Sequence, residues 1–471
     1  MITVRCREEK YTYNAYHMVK AFYPQSEVTS EVKSNKDDLE RRSEGPSFDV
    51  LSSEVQTEQA KVQNSEQQIP YVEVLEVTEA ENTAETEALM SDTQGPVTNF
   101  RVICRIFDDD VADLPHKEHK HAIDHRLYKA LKEDSGRELA WGILLGVRPT
   151  KIAMSALESG MTKEDFVPWF MSDCLVSREK AALAYDIAVR EKHQLDQLDY
   201  EEGYSLYIGI PFCPSVCSYC SFSSGSLSAW SKRVDDYVEA LCKELTFIGK
   251  ASKEKKLNTI YMGGGTPTTL TADQLEKVLT CVDENFSRDF LLEYTVEAGR
   301  PDSITREKFE VLLKHGITRI SINPQSMQQK TLDAIGRYHS VESIKEAFHL
   351  AREMGFDNIN MDLIAGLPGE TLADMEDTLK QIAELAPDNL TVHSLAIKRA
   401  AKMGQEKKAK KAAGVKNVGS QAEDMDPFEV EKMVAAAFDQ AKAMEMSPYY
   451  LYRQKNIAGN FENVGYAKVD K

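Results

Sequence analysis

The chain has 471 residues, 42% of them apolar, and a formal net charge of −19. Length alone provides for about two to four domains, and so acidic a balance excludes a protein built to track a nucleic-acid backbone, which needs a basic face. No apolar run reaches the roughly eighteen residues of a membrane span, and Met1-Ile2-Thr3-Val4-Arg5-Cys6 lacks the basic-then-apolar order of a signal peptide, so the expected location is cytoplasmic.

In chain order, residues 1–30 alternate as a strand does and then turn helical over 16–22. Residues 31–95 are rich in Glu, Ser, Thr and Gln and poor in aromatics. Such a stretch cannot bury enough apolar surface to offset its ordering entropy, and it is expected to be a disordered acidic insertion apart from a short strand over 71–77. Residues 97–107 read as a strand and 119–195 as several helices. Residues 1–30 and 96–195 together make an N-terminal accessory domain, either one that contacts substrate or partner or one that only packs. His116, His119, His121 and His125 crowd into it. His121 and His125 share a helix face, as metal ligands would, whereas Lys117, Glu118, Lys120 and Asp124 around them suit a solvated helix start.

From Ser205 short apolar runs alternate with helical segments. Strands are expected at 205–210, 259–262, 292–297, 319–323, 358–363 and 389–392, with helices near 234–248, 272–285, 306–315, 328–334 with 341–354, and 372–385. Strands separated by helices imply a parallel α/β sheet, because parallel neighbours need crossover helices; a sheet curled into a partial barrel collects its functional residues at the C-terminal strand ends. This core is placed at 200–400. The Lys- and Ala-rich residues 401–425 are expected to form a flexible basic linker, either loop or helix, and 426–471 a short helical extension, helical over 427–444, whose aromatic tail stops without a clear closing element.

Eight cysteines are unevenly spread. Cys6, Cys104, Cys174, Cys242 and Cys281 are isolated and read as small apolar residues. Cys213, Cys217 and Cys220 fall within eight residues, directly after the first core strand, as Cys213-Pro214-Ser215-Val216-Cys217-Ser218-Tyr219-Cys220. In a reducing compartment such a group binds metal rather than forming disulfides. Three thiolates on a short loop can each reach one iron of a 4Fe–4S cubane and leave the fourth iron open to a ligand. The competing reading is a zinc knot, which needs a fourth ligand; the next cysteine is Cys242, inside an expected helix, and the next histidine is His315. Gly263-Gly264-Gly265-Thr266-Pro267-Thr268 ends the second strand, either as a plain tight turn or as bare backbone that a ligand can approach.

Taken together these residues resemble the oxygen-independent coproporphyrinogen III oxidase family of radical S-adenosylmethionine (SAM) enzymes, and within it the N-terminally extended coproporphyrinogen dehydrogenases. The resemblance covers about residues 203–400 and continues through Tyr449-Tyr450-Leu451-Tyr452-Arg453-Gln454-Lys455-Asn456 and Gly465-Tyr466-Ala467-Lys468. It implies a partial (β/α)6 TIM-like barrel, a cluster held by Cys213, Cys217 and Cys220, and reductive cleavage of SAM. It further implies SAM contacts at Tyr207, Gly264, Gly265, Thr266, Glu297 and Gln325. Arg337 would pair with the methionine carboxylate, Asp362 with the ribose hydroxyls, and Ala396 would line the adenine pocket. Tyr219 would touch a second SAM. The implied reaction is oxidative decarboxylation of two propionates of coproporphyrinogen III to give protoporphyrinogen IX, with flavodoxin or ferredoxin as electron donor. A substrate with four carboxylates needs local positive charge, for which Arg300, Lys398, Arg399 and Arg453 are candidates. The oxidases often carry a fourth cysteine two residues after the third; here that residue is Phe222, as in a related branch of haem carriers. The His-Asn and Tyr-Trp signature expected of those carriers is absent after residue 400, His393 being the last histidine, which favours the dehydrogenase.

Overall fold

The structure, a computed structural model, describes residues 1–32, 70–78, 99–107, 114–145, 148–413, 427–453 and 461–469. They gather into two compact units, one of residues 1–145 with 167–181 and one of residues 146–166 with 182–471. The division differs from the boundary drawn near residue 195, because the helical segments 146–166 and 182–195 group with the larger unit.

The smaller unit is built on β1 (Ile2–Cys6), α1 (Glu9–Phe22), β2 (Val28–Val32), β3 (Val72–Thr78), β4 (Asn99–Ile106) and α2 (His116–Ser135). Its sheet has the order β2-β1-β3-β4, with β1 and β2 parallel across the α1 crossover and the other pairs antiparallel. Helix α1 buries Tyr11, Ala15, Met18, Val19 and Phe22, the spacing of an amphipathic stripe. The strand expected over 71–77 is β3; the remainder of the stretch expected to be disordered, residues 33–69 and 79–95, lies outside the described residues. Two of the four histidines meet Asp173. His125 Nε2 meets the Asp173 carbonyl at 2.5 Å, His121 Nε2 lies 3.4 Å from Asp173 Oδ1, and among the described residues no three His, Cys, Asp or Glu side chains converge on one ion.

Three helices, α3 (Pro149–Glu158), α4 (Lys163–Cys174) and α5 (Arg178–Leu195), lead to the barrel. Its parallel strands are β5 (Gly203–Ile210), β8 (Lys256–Gly264), β9 (Glu293–Glu297), β10 (Arg319–Ser321), β11 (Ile359–Ala365) and β12 (Asn389–Ser394); β6 (Phe212–Cys213) and β7 (Gly225–Ser226) are a two-residue ladder beside β5. The connecting helices are α6 (Val234–Ala251), α7 (Ala272–Asn285), α8 (Arg306–Lys314), α9 (Gln329–Ala334), α10 (Val341–Met354) and α11 (Leu372–Leu385). Helices α7 and α11 start at Thr271 and Thr371, each with a reciprocal capping box, and α10 at Ser340, whose hydroxyl accepts from Ser343 N. Between sheet and helices lies a core of Ile208, Met262, Val296, Ile320, Leu363 and Leu390, facing Leu275, Leu312, Phe348 and Leu379, all almost fully buried.

Beyond the core the expectation is corrected in the C-terminal extension. Part of the basic stretch is helix α12 (Lys402–Ala412), as its Lys and Ala content allows; residues 414–426 lie outside the described residues. The extension is helical over α13 (Pro427–Ala443), but it also carries two strands, β13 (Ser447–Arg453) and β14 (Glu462–Ala467). Strand β14 adds antiparallel to β12 and β13 antiparallel to β14, giving the sheet order β13-β14-β12-β11-β10-β9-β8-β5. The aromatic run with Pro448 in it makes the edge strand β13 because β14, itself paired to β12, offers a partner.

Candidate functional site

The loop after β5 carries the three grouped cysteines, and contacts from several separate elements fix it. Its ends are tied by the Phe212–Gly225 and Cys213–Ser226 pairings of β6 and β7. Ser218 N donates to the Ile335 carbonyl at 3.0 Å, and Ser215 Oγ to the Gly336 carbonyl at 3.0 Å. From the loop after β9, Arg300 Nη1 donates to the Ser215 carbonyl at 3.0 Å, while its Nε and Nη2 grip Asp302 at 3.0 and 2.9 Å. The three thiols are free and half-buried.

The glycine turn at the end of β8 presses against this loop. Gly265 N donates to Ile210 O and Thr266 N to Phe212 O, both at 2.7 Å. A Cβ on Gly265 would stand 2.6 Å from the Phe212 carbonyl, and Gly264 sits at φ +106°, so side chains are excluded at both positions. Thr266 Oγ1 reaches to 3.6 Å from Cys213 Sγ.

These elements enclose one wall of a cavity of about 800 Å3, within the range of pockets for small ligands and cofactors. Cys213, Cys217, Tyr219, Cys220, Gly264, Gly265, Thr266, Glu297, Gln325, Arg337, Asp362 and Ala396 all line it. Tyr207 does not; it is 62% exposed and stacks on Tyr261 at 5.9 Å, its hydroxyl beside Gly264. Glu297 accepts a 2.5 Å bond from the Tyr261 hydroxyl. Burial, reinforced by the charge of Asp362, pushes its carboxyl up to about 7 against the pull of the Tyr261 bond. Gln325 adopts φ +67°, a strained setting for a residue with a side chain, and Tyr219 donates to its Oε1 at 3.1 Å. Arg337 is buried, with Nη2 on the Gly299 carbonyl at 2.6 Å and Nε 3.2 Å from His339 Nε2; burial and the neighbouring arginine charges push His339 down to about 4. Asp362 accepts from Asn360 Nδ2 at 2.8 Å and stands 3.9 Å from His393 Nε2.

Of the cations expected to meet substrate, Lys398 lines the cavity. Arg300 lines it too, but its planar fork is spent on Asp302 and the cysteine loop. Arg399 is exposed elsewhere, and Arg453 is buried on β13 opposite Glu462. Sequence reasoning missed Tyr261, Thr295, Arg319, Asn360, Thr391 and His393, all on strands and all lining the cavity. Strand periodicity carries the signal: Thr295 lies two residues before Glu297, Asn360 two before Asp362, and alternate residues share a face.

The residues suit a cluster with SAM. Three free thiols on one cavity wall supply the ligands, and Gly264 and Gly265 line the same cavity as bare backbone. Opposite them stand the polar ends of strands otherwise built for burial.

Residues 207–382 match the Radical SAM superfamily. Over 372 residues the chain is 43% identical to the oxygen-independent coproporphyrinogen-III oxidase-like protein HemZ of Bacillus subtilis, which covers 77% of this chain and 71% of that protein. It is 37% identical over 195 residues to the heme chaperone HemW of Bacillus subtilis, spanning 50% of that protein. It is 34% identical over 196 residues to the oxygen-independent coproporphyrinogen III oxidase of Helicobacter pylori, spanning 42% of it. Among solved structures, the coproporphyrinogen III oxidase of Escherichia coli aligns at 25% identity and a TM-score of 0.48, covering 60% of this chain and 59% of that one.

Proposed function

The chain belongs to the radical SAM superfamily and, within it, to the family of oxygen-independent coproporphyrinogen-III oxidase-like proteins, and from that premise we propose that it removes two propionate carboxyls from coproporphyrinogen III to give protoporphyrinogen IX without oxygen. The observation that carries the reading is the single cavity in which Cys213, Cys217 and Cys220 face Glu297, Gln325 and Asp362 across the strand ends. Family membership implies a 4Fe–4S cluster and SAM, which when bound supply an electron and an organic radical able to take a hydrogen from a propionate carbon.

The chain's own residues would then bind and orient. Cys213, Cys217 and Cys220 hold the cluster through thiolates. The backbone of Gly264, Gly265 and Thr266 receives the methionine amino group. Arg337 offers a planar fork to its carboxylate, and Asp362 takes the ribose hydroxyls. Glu297, Gln325 and Tyr207 complete the SAM contacts, and Ala396 leaves room for adenine. Tyr219 borders the space for a second SAM. Lys398, rather than Arg300, remains as the cavity cation for a substrate carboxylate.

A second reading, a haem-binding chaperone without decarboxylase activity, draws support from Phe222 in place of a fourth cysteine and from the likeness to heme chaperones. One experiment separates the two: anaerobic incubation of reconstituted protein with coproporphyrinogen III, SAM and dithionite. The expected outcome is 5′-deoxyadenosine together with the two-vinyl product. Deoxyadenosine without vinyl product would keep the radical chemistry and displace the substrate. Tight haem binding without turnover would replace the decarboxylase by the carrier.

A further inference from the structure

Helix α12 is a local reversal of the molecule's charge. Lys402, Lys407, Lys408, Lys410 and Lys411 stand there against the single acid Glu406, in a chain of net charge −19. Lys408 and Lys410 are exposed and form no ion pair with any described residue, and Lys402 meets Glu406 only at 3.8 Å with both side chains in solvent. A patch of this kind, held in place at a cost in self-repulsion, selects partners of opposite sign.

The helix is not placed at random on the surface. Met403 N donates to the carbonyl of Ser218, inside the cysteine loop, at 3.0 Å. Ala401 and Met403 are buried at the helix start, and a Cβ on Gly404 would overlap the Lys398 carbonyl, so this end is seated closely. The same loop exposes two apolar side chains, Val216 at 44% and Phe222 at 74%, both of which also line the cavity, and Tyr338 is 78% exposed. A lysine-rich helix bonded at its start to a loop with exposed apolar side chains has the make-up of a small, transient, charge-steered interface. None of the described side chains of α12 lines the cavity, so their charge is directed at something other than the small-molecule substrate.

We propose that α12 and the exposed face of the cysteine loop dock an acidic one-electron carrier protein, bringing its redox centre to the outer side of the three thiolates. The inference rests on the functional reading above, which requires one electron from outside for each SAM cleaved. The carrier is oxidised by one electron, the sulfonium carbon–sulfur bond is the bond that breaks, and no atom or proton crosses the interface.

The test uses the full reconstituted chain, its Lys408→Glu/Lys410→Glu variant, and a purified acidic flavodoxin as probe. Fluorescence anisotropy of labelled flavodoxin should show binding that weakens with added salt and drops about tenfold in the variant. Flavodoxin-driven 5′-deoxyadenosine formation should fall in parallel, while dithionite-driven formation is unchanged. Equal losses with both reductants, or binding indifferent to charge reversal and to salt, would overturn the docking surface. Should dithionite fail to drive SAM cleavage in the unmodified chain, the functional reading falls, and the anisotropy still decides whether α12 binds the carrier.

Discussion

In the sheet β2-β1-β3-β4, Arg105 Nε lies 2.5 Å from Glu73, and Arg101 reaches Asp134 at 2.6 Å and Glu76 at 2.8 Å. On the barrel wall the charged groups keep their distance: Arg319 stands 3.8 Å from Glu293, and His393 stands 3.9 Å from Asp362. Both sheets place polar residues at alternate strand positions. In the first those residues satisfy one another across neighbouring strands, the exposed Arg105 covering the buried Glu73. In the second they converge on a cavity and are held short of full pairing, which costs stability unless a ligand completes them. Charge spent on a neighbour is structure; charge held in reserve around a void is a binding site.

The largest effect that could break this contrast comes from the thiols. Replacing Cys213, Cys217 and Cys220 by Ala should reduce iron and sulfide after anaerobic reconstitution to background and deoxyadenosine formation by at least about a thousandfold. The unfolding midpoint, followed by circular dichroism, should barely move. On the opposite wall, Asp362→Asn should weaken SAM binding, measured by equilibrium dialysis, by about 10- to 100-fold. A matching loss of thermal stability would show that Asp362 is part of the scaffold and erase the distinction.

Glu370 tests a third setting, an acid buried against a hydroxyl. It accepts from Ser326, and burial pushes its carboxyl up to about 7. The folded chain therefore holds a proton that the unfolded chain releases near the ordinary value of 4.5. This contribution to stability is full below pH 4.5 and is lost as pH rises towards 7. Glu370→Gln keeps the neutral form throughout, so its stability relative to the parent should rise across that window by on the order of 2 kcal/mol, read from urea melts at each pH. The smallest effect is expected from the paired sheet: Arg105→Ala, exposed and solvated, should cost less than about 1 kcal/mol and leave deoxyadenosine formation unchanged.

What the sequence reveals follows from how local each signal is. Helices α7, α10 and α11 begin and end where the periodicity puts them, because Thr271, Ser340 and Thr371 cap them through short-range bonds. The cysteine loop and the glycine turn are legible for the same reason, each being a contiguous motif. Strand faces are less so: whether Asn360 or Arg319 points inward depends on the curl of the whole sheet, and Glu297 and Asp362 came with the family resemblance. The strands β13 and β14 escaped notice because β14 pairs with the distant β12 and β13 with β14, which overrides the discouragement of Pro448. Arg300 misled, since a cation suited to a substrate carboxylate is equally suited to holding the loop it sits beside.

From β5 through β12, sheet order copies chain order. A chain emerging from the ribosome can lay each of these strands against the one just made. The thiol-bearing loop is therefore the first part of the site to exist, and Asn463 on β14 is among the last residues of the cavity to arrive. At ordinary translation speeds that interval is roughly ten to fifty seconds. Until the strands that carry Glu297 and Asp362 are made, the cysteines have no opposite wall to shield them from oxidants, so iron and sulfide are best received once translation has finished and the cavity is complete.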